Sequence, residues 1–447
     1  MKLSPGEWIT SFAGVIGRKF IKDATALTTA NIVSAGLGFA QGLIVARWLG
    51  PEQYGVAALV MSYPSLIYTF FDAKSSDTAV KYIGQHHAES NREGALAICK
   101  LGYAVDFGIA LLSFLAVAAS AGWGARSIIH REEAAGLLTL YAASFLLQSL
   151  TGVSYAVLTT LGRFSVIAWL NIASTVLRAV LVLGLTAAGW QVAGVVFGNA
   201  FAIAANGLLL WTAARSAARG AWGATPVHGN LRAIGGRLRE VLSFMVFSDL
   251  NTMIGIVPKR MDLIILGYAR GPEQAGYYQL ARRLAGAAYN IIAPLQSVTY
   301  PEMVRLWAAE DADALRRRVR ELLLAVGAPL GAGGIAAAAL MPVIILPAFG
   351  EAYSPSIPAA ALMLIGSAAW ATFFWLRPLY LTLGKVREWT AISAMTAFLS
   401  LVGVATIAPV WGCTGVGAWW MTTTLITHGA GWIYIMRGRW AGKEAPR

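Results

Sequence analysis

Charge is what this sequence has least of. Asp, Glu, Lys and Arg make up 13% of its 447 residues, against roughly a quarter in an ordinary globular domain. The deficit is concentrated in long runs. Residues 134–162 carry none of these four types, 164–214 carry only Arg178, and 389–436 again carry none. A water-soluble fold has no place for runs of that length. About 18 or more apolar residues suffice for a helix to cross a bilayer. Lipid offers no partner to an open amide, so spanning segments are helices or closed barrels. These runs are continuous, not alternating, which selects helices.

Other absences exclude chemistry. The two cysteines, Cys99 and Cys413, lie far apart at the edges of apolar runs, which excludes a disulfide framework and metal-ligand spacing. No nucleotide-binding glycine loop followed by Lys-Ser or Lys-Thr occurs, so direct ATP hydrolysis is not expected. Neither a Ser-His-Asp nor a Cys-His arrangement is identifiable. No catalytic residue, metal or cofactor is therefore expected, and the chain does not read as an enzyme. His86 and His87 have no third ligand at metal spacing. Asp311-Ala-Asp313 resembles the metal-binding pair of nucleotide-sugar transferases. It lies beside Arg316, Arg317, Arg318 and Arg320, and reads as a charged surface helix.

What the sequence does have is an excess of positive charge, +13. The bases form no patch beside stacking aromatics, so nucleic acid is not the expected partner. They sit in short loops between apolar runs. Helices are expected near 26–48, 54–72, 99–121, 135–159, 165–187, 192–214, 242–269, 276–298, 322–348, 358–381, 389–408 and 415–436. The outer loops hold Arg126, Arg131 and Arg270, and nearly all other loop bases fall on the opposite side. The positive-inside rule then puts both termini of a multi-pass membrane protein in the cytoplasm. No cleavable signal peptide is expected. Residues 5–22 read as an amphipathic helix lying on the membrane surface.

The two halves read as copies. Gly50-Pro-Glu-Gln-Tyr-Gly55 recurs as Gly271-Pro-Glu-Gln-Ala-Gly276. Thr160-Leu-Gly-Arg163 recurs as Thr382-Leu-Gly-Lys385, and Trp190 with Gly194 recurs as Trp411 with Gly415. An even number of helices per copy gives a parallel repeat. The expected architecture is an all-α polytopic membrane protein of about 12 transmembrane helices in two parallel six-helix bundles. Its parts are an amphipathic cytoplasmic N-terminus at 1–24, a bundle at 25–214, a cytoplasmic linker at 215–241, a second bundle at 242–436 and a cytoplasmic tail at 437–447. Duplicated transporters commonly place the substrate where the copies meet.

Charges inside spans cost at least ~2.5–3.5 kcal/mol each on insertion scales and so ask for a reason. Arg178, Lys259, Arg260, Arg282, Arg283 and Arg377 are candidates for a cationic cavity. At about 1.5 Å per residue, the first five lie at similar depth, and Arg377 lies within two turns of a cytoplasmic end. Arginine suits phosphate because its planar fork donates two parallel hydrogen bonds. Asn31, Gln41, Asp249 and Asp262 are further polar candidates for the cavity wall. The competing reading is neutralisation, for instance Lys259 with Asp262 at i,i+3, or snorkelling to the headgroups. Asp106 lies near the inner end of its span, where a surface position is as reasonable as a function.

These residues carry a family resemblance. Asn31 to Gly36, followed by Arg47-Trp-Leu-Gly-Pro-Glu-Gln-Tyr-Gly55, resembles the opening of polysaccharide biosynthesis proteins of the oligosaccharide flippase type. The stretch from Asp262 through Gly276-Tyr-Tyr-Gln-Leu-Ala281 is similar to that family's seventh and eighth helices. Phe349 to Tyr353 resembles the turn after its ninth. The resemblance implies the multidrug/oligosaccharidyl-lipid/polysaccharide exporter superfamily, with two six-helix bundles around a central cavity. It also implies a role in surface polysaccharide biosynthesis: flipping of an undecaprenyl-pyrophosphate-linked oligosaccharide across the inner membrane, alongside polymerase and assembly proteins. It supplies no residue-level match for the intramembrane bases, which stand on depth and charge alone. A cation-coupled drug exporter of the same superfamily and a membrane-embedded glycan polymerase or glycosyltransferase are the alternatives. The topology has a direct check. A fluorescent protein fused after Arg447 should fluoresce, and alkaline phosphatase inserted after Glu133 should be active; the reverse pattern would invert the assignment.

Overall fold

The computed structural model describes residues 18–71 and 75–437. The candidate surface helix at 5–22 and the tail at 437–447 lie almost wholly outside the described residues. The fold is all-α and polytopic, with no strand among the described residues. In chain order the helices are α1 Arg18–Phe71, α2 Ser75–Ala88, α3 Arg92–Gly124, α4 Ala134–Gln148, α5 Leu150–Thr160, α6 Phe164–Leu185 and α7 Gln191–Trp222. Then come α8 Leu238–Ala308, α9 Ala312–Glu321, α10 Ala328–Ala339, α11 Met341–Phe349, α12 Ser356–Thr372, α13 Leu376–Thr382 and α14 Val386–Arg437.

Seven helical stretches among the described residues are long and apolar enough to cross a membrane. Three of them run 45, 59 and 51 residues. At about 1.5 Å per residue each is roughly twice or more the ~30 Å of hydrocarbon, so each must fold back. The breaks fall at the turn signals of the sequence. Gly50 interrupts α1 (φ 71°, ψ 171°) and Gly412 interrupts α14 (φ 56°, ψ −146°). Gly271 (φ 82°, ψ −179°) breaks the long helix α8 in the same way as Gly50. Bulky apolar side chains such as Trp169, Val343 and Phe398 are exposed, as expected where the solvent is acyl chain.

The duplication read from sequence is written in the backbone. Gly50 and Gly271 share one conformation, left-handed in φ and extended in ψ. Gly162 (φ 65°) and Gly384 (φ 71°) close α5 and α13 identically. The Arg163 amide donates to the Leu158 carbonyl at 2.8 Å, and the Lys385 amide to the Tyr380 carbonyl at 2.9 Å. Each glycine amide donates three residues back, which completes the Schellman closure. Gln191 (φ 44°, ψ −125°) adopts nearly the geometry of Gly412, 221 residues later. Only one copy kept the residue type that this conformation favours.

By compactness the chain forms two units: residues 1–42, 67–121 and 136–251, and residues 43–66, 122–135 and 252–447. The first is built on Tyr82, Ile83, Leu96, Tyr103, Val153, Val157, Leu210 and Trp222. The second centres on Met303, Leu315, Phe374, Trp375, Leu379 and Tyr380. It also takes in the turn of α1 and the helix that follows it, from the first sequence copy. There the two Gly-Pro-Glu-Gln motifs meet face to face. A Cβ on Gly55 would fall into the Pro272 carbonyl and lie 2.7 Å from the Gly276 amide nitrogen. A Cβ on Gly276 would fall into the Pro51 carbonyl and lie 3.1 Å from the Gly55 nitrogen. Small residues of this kind let helix backbones touch in membranes.

Gly55→Val and Gly276→Val should each lower the thermal unfolding midpoint in detergent, by an overpacking cost of about 1–3 kcal/mol or more. The same substitution at Gly36, which has open space around it, should change it little. Equal effects at all three positions would contradict the packing described.

Candidate functional site

The candidate bases of the second unit are carried by the helix pair on either side of Gly271. Between residues 259 and 283 the chain carries Lys259, Arg260, Arg270, Arg282 and Arg283 against Asp262 and Glu273. Asp262 is buried and its carboxylate is fully engaged. Its Oδ2 accepts the Tyr278 hydroxyl at 2.6 Å. Its Oδ1 accepts Arg282 Nη1 at 3.0 Å and the Leu263 amide at 2.7 Å. The turn at Gly271 brings Asp262 to Tyr278 and Arg282. Tyr278 and Arg282 share a face because they are four residues apart. The Asp262 side chain is 9% exposed and that of Arg282 is 37% exposed. Arg282 is therefore anchored through Nη1, with its side chain only partly buried.

Two neighbouring arginines reach toward the helix after Pro51. Arg283 Nη1 donates to the Tyr54 hydroxyl at 3.2 Å, and Arg260 Nη1 to the Ser65 carbonyl at 3.4 Å. Both side chains are half-buried. The structure thus gathers Arg260, Asp262, Arg282 and Arg283 in one unit, with Tyr54 and Tyr278 as polar supports. Both tyrosines stand in motifs of the sequence, but neither is a site candidate there. The available signal was Tyr278 one helical turn before an arginine of an expected span.

The remaining candidates lie elsewhere. Arg178 is half-buried on α6 in the first unit. Its Nη2 sits 3.4 Å from where a Gly38 Cβ would be, so the missing side chain makes its room. Gln41 is buried and Asn31 is exposed. Arg377 is exposed at the start of α13. The side chains of Asp249 and Lys259 lie outside the described residues, so the Lys259–Asp262 pairing is not on view. Asp262 is bonded by Arg282 and Tyr278.

Asp106, in the first unit, is buried, and its Oδ2 accepts the Ser75 hydroxyl at 2.5 Å. A Cβ on Gly152 would lie 3.1 Å from that oxygen. Asp311 caps α9 by accepting the Ala314 amide at 2.7 Å, and Asp313 pairs with Arg316 at 3.3 Å. Both carboxylates are accounted for by the helix they begin. His86 meets Asn91, and His87 accepts the Trp222 indole N–H at 3.2 Å.

The polysaccharide biosynthesis protein model matches residues 20–307, more than half the chain and all of the charged cluster. The chain belongs to the polysaccharide biosynthesis protein family. Among curated relatives it resembles the inner membrane protein YghQ of Escherichia coli (strain K12). The two are 25% identical over 361 residues, covering 75% of this chain and 92% of the relative. Among solved structures it has the fold of the lipid II flippase MurJ in an inward closed conformation. That match has a TM-score of 0.72 at 12% identity, over 92% of this chain and 87% of the other. It is equally similar to an inward-facing multidrug resistance MATE family transporter of the MOP superfamily. Here the TM-score is 0.71 at 13% identity, over 90% and 94% of the two chains. This member of the polysaccharide biosynthesis family thus carries a transporter fold, with an ordered arginine–carboxylate cluster on α8.

Removing the carboxylate tests that order. Asp262→Ala should destabilise by on the order of 2–3 kcal/mol. This is below the ~3–5 kcal/mol of a fully buried pair, because Arg282 is partly open. Asp262→Asn with Arg282→Gln together should cost less than the sum of the single changes. Strict additivity in unfolding measurements would show that the pair is not coupled.

Proposed function

We propose that the chain is a flippase for an undecaprenyl-pyrophosphate-linked oligosaccharide, working by alternating access in the bacterial inner membrane as a carrier and not as an enzyme. One observation carries this reading: a member of the polysaccharide biosynthesis family pairs Arg282 with the buried Asp262 and holds Arg260 and Arg283 in the same unit. Asp262, itself held by Tyr278, fixes Arg282 through Nη1. In low dielectric a guanidinium binds a phosphate oxygen pair far better than it does in water. Arg282 is the best-oriented group for that contact, with Arg283 next to it in sequence and Arg260 in the same unit; Lys259 and Arg178 are further candidates for a phosphate contact. Arg377, exposed near a span end, suits first contact with a headgroup. Gln41 and Asn31 offer hydrogen bonds to sugar hydroxyls, and Asp249 belongs to the same polar set. Polymerase and assembly proteins would act on the flipped product. The structural likeness to a protein named a lipid II flippase supports the same class of cargo.

The MATE likeness and the buried Asp106 favour a second reading, a cation-coupled exporter of small molecules. A deletion strain separates the two. Lipid-linked repeat units stranded on the cytoplasmic face, with normal drug tolerance, fit the flippase. Drug sensitivity with normal surface glycan fits the exporter. In the flippase case Arg178→Gln, Lys259→Gln and Arg282→Gln should each cut flipping by about tenfold or more at normal protein abundance. This is the scale of one lost charge-assisted phosphate contact, ~1.5–3 kcal/mol. Unchanged flipping in all three would remove the cationic site.

A further inference from the structure

The segment between the two sequence copies is not a slack tether. α7 ends at Trp222, and Gly223 closes it with a left-handed turn whose amide donates to the Arg219 carbonyl at 3.0 Å. The chain then lies against the first unit. Pro226, Gly229 and Ile234 are buried, and Gly229 backs directly onto the Leu96–Ala97 backbone. Asn230 caps the next turn by accepting the Arg232 amide at 3.1 Å. Ile234, Val241 and Met245 join the core around Tyr82, Ile83 and Leu96. One face of the segment is therefore fixed.

The other face is apolar and basic at once. Val227, Leu231, Leu238 and Leu242 are each between 38% and 46% exposed. Arg232, Arg237 and Arg239 are exposed among them. The only carboxylate between residues 223 and 245 is Glu240, and the Tyr82 hydroxyl donates to it at 3.0 Å. At the start of α8, Leu238 and Leu242 form an i,i+4 stripe beside the buried stripe of Val241 and Met245, and Arg239 follows on the outer side. That order, from core to exposed leucine to arginine, is the order of protein, acyl chain and headgroup at a bilayer surface.

We propose that residues 226–242 form an interfacial strap that binds anionic phospholipid. Val227, Leu231, Leu238 and Leu242 enter the boundary between headgroups and acyl chains. Arg232, Arg237 and Arg239 hold lipid phosphates. The strap is pinned between a membrane-crossing helix that ends at Trp222 and the long helix that begins at Leu238, so it cannot leave the bilayer surface. Its charge matches an anionic leaflet, and its leucines have a ready apolar phase. This assignment is independent of what the protein carries.

The test uses the full chain purified in neutral detergent and titrated with phosphatidylglycerol or phosphatidylcholine, the retained lipid being counted by native mass spectrometry. The unaltered chain should retain phosphatidylglycerol in preference to phosphatidylcholine. R232Q/R237Q/R239Q should lower that retention by tenfold or more, each surface arginine being worth roughly fivefold. R316Q/R317Q/R320Q, which removes equal charge from exposed sites on α9, should change it less than twofold. Replacing the three strap arginines by lysine should restore most of the binding. Equal retention of the two lipids, or equal losses in the two glutamine triples, would overturn the proposal. So would a fluorophore on Leu231→Cys that brominated phosphatidylglycerol fails to quench.

Discussion

Hydrocarbon will not hydrogen-bond to a peptide group, and this constraint decides the rest of the structure. Each crossing must satisfy its own amides, so the chain is helical almost throughout, and its direction changes are squeezed into single residues. Glycines 50, 162, 271, 384 and 412 carry those changes with positive φ. At Gly162 and Gly384 the same two hydrogen bonds close the helix in each copy. The chain needs few loop residues because each turn is made by a backbone conformation and not by a length of linker.

That is why so much of the fold is readable from sequence. Charge-free runs mark the spans, and the duplicated glycine motifs mark the turns, since side chains are excluded where φ is positive. Gln191 shows the limit. It holds the conformation of Gly412 without being glycine, so nothing in its residue type announces the break between α6 and α7. The site was less legible. Spacing arguments see neighbours along one helix, and so favour Lys259 for Asp262. They do not see across the turn at Gly271, which delivers Tyr278 and Arg282 to the same carboxylate. The roles of Tyr54 and Tyr278 were hidden for a related reason. A tyrosine in an apolar span reads as packing until its hydroxyl is seen donating to or receiving from a charged group.

The two copies share a backbone but not their chemistry. At the offset of 221 residues that relates the glycine motifs, Asp262 corresponds to Gln41, Tyr278 to Ala57, Arg282 to Met61 and Arg283 to Ser62. Arg178 falls opposite Leu399. The ion cluster therefore arose on one copy of a common scaffold. Helix positions and turns stayed fixed while the lining diverged.

The contact between Gly55 and Gly276 has a consequence for how the copies can change. Each glycine leaves room for the main chain of the other copy, so the restriction is mutual and neither residue can be released first. A lone methyl on either side intrudes on both strands of the duplicated ancestry at once. Such a contact ties the histories of the halves together through main chain alone.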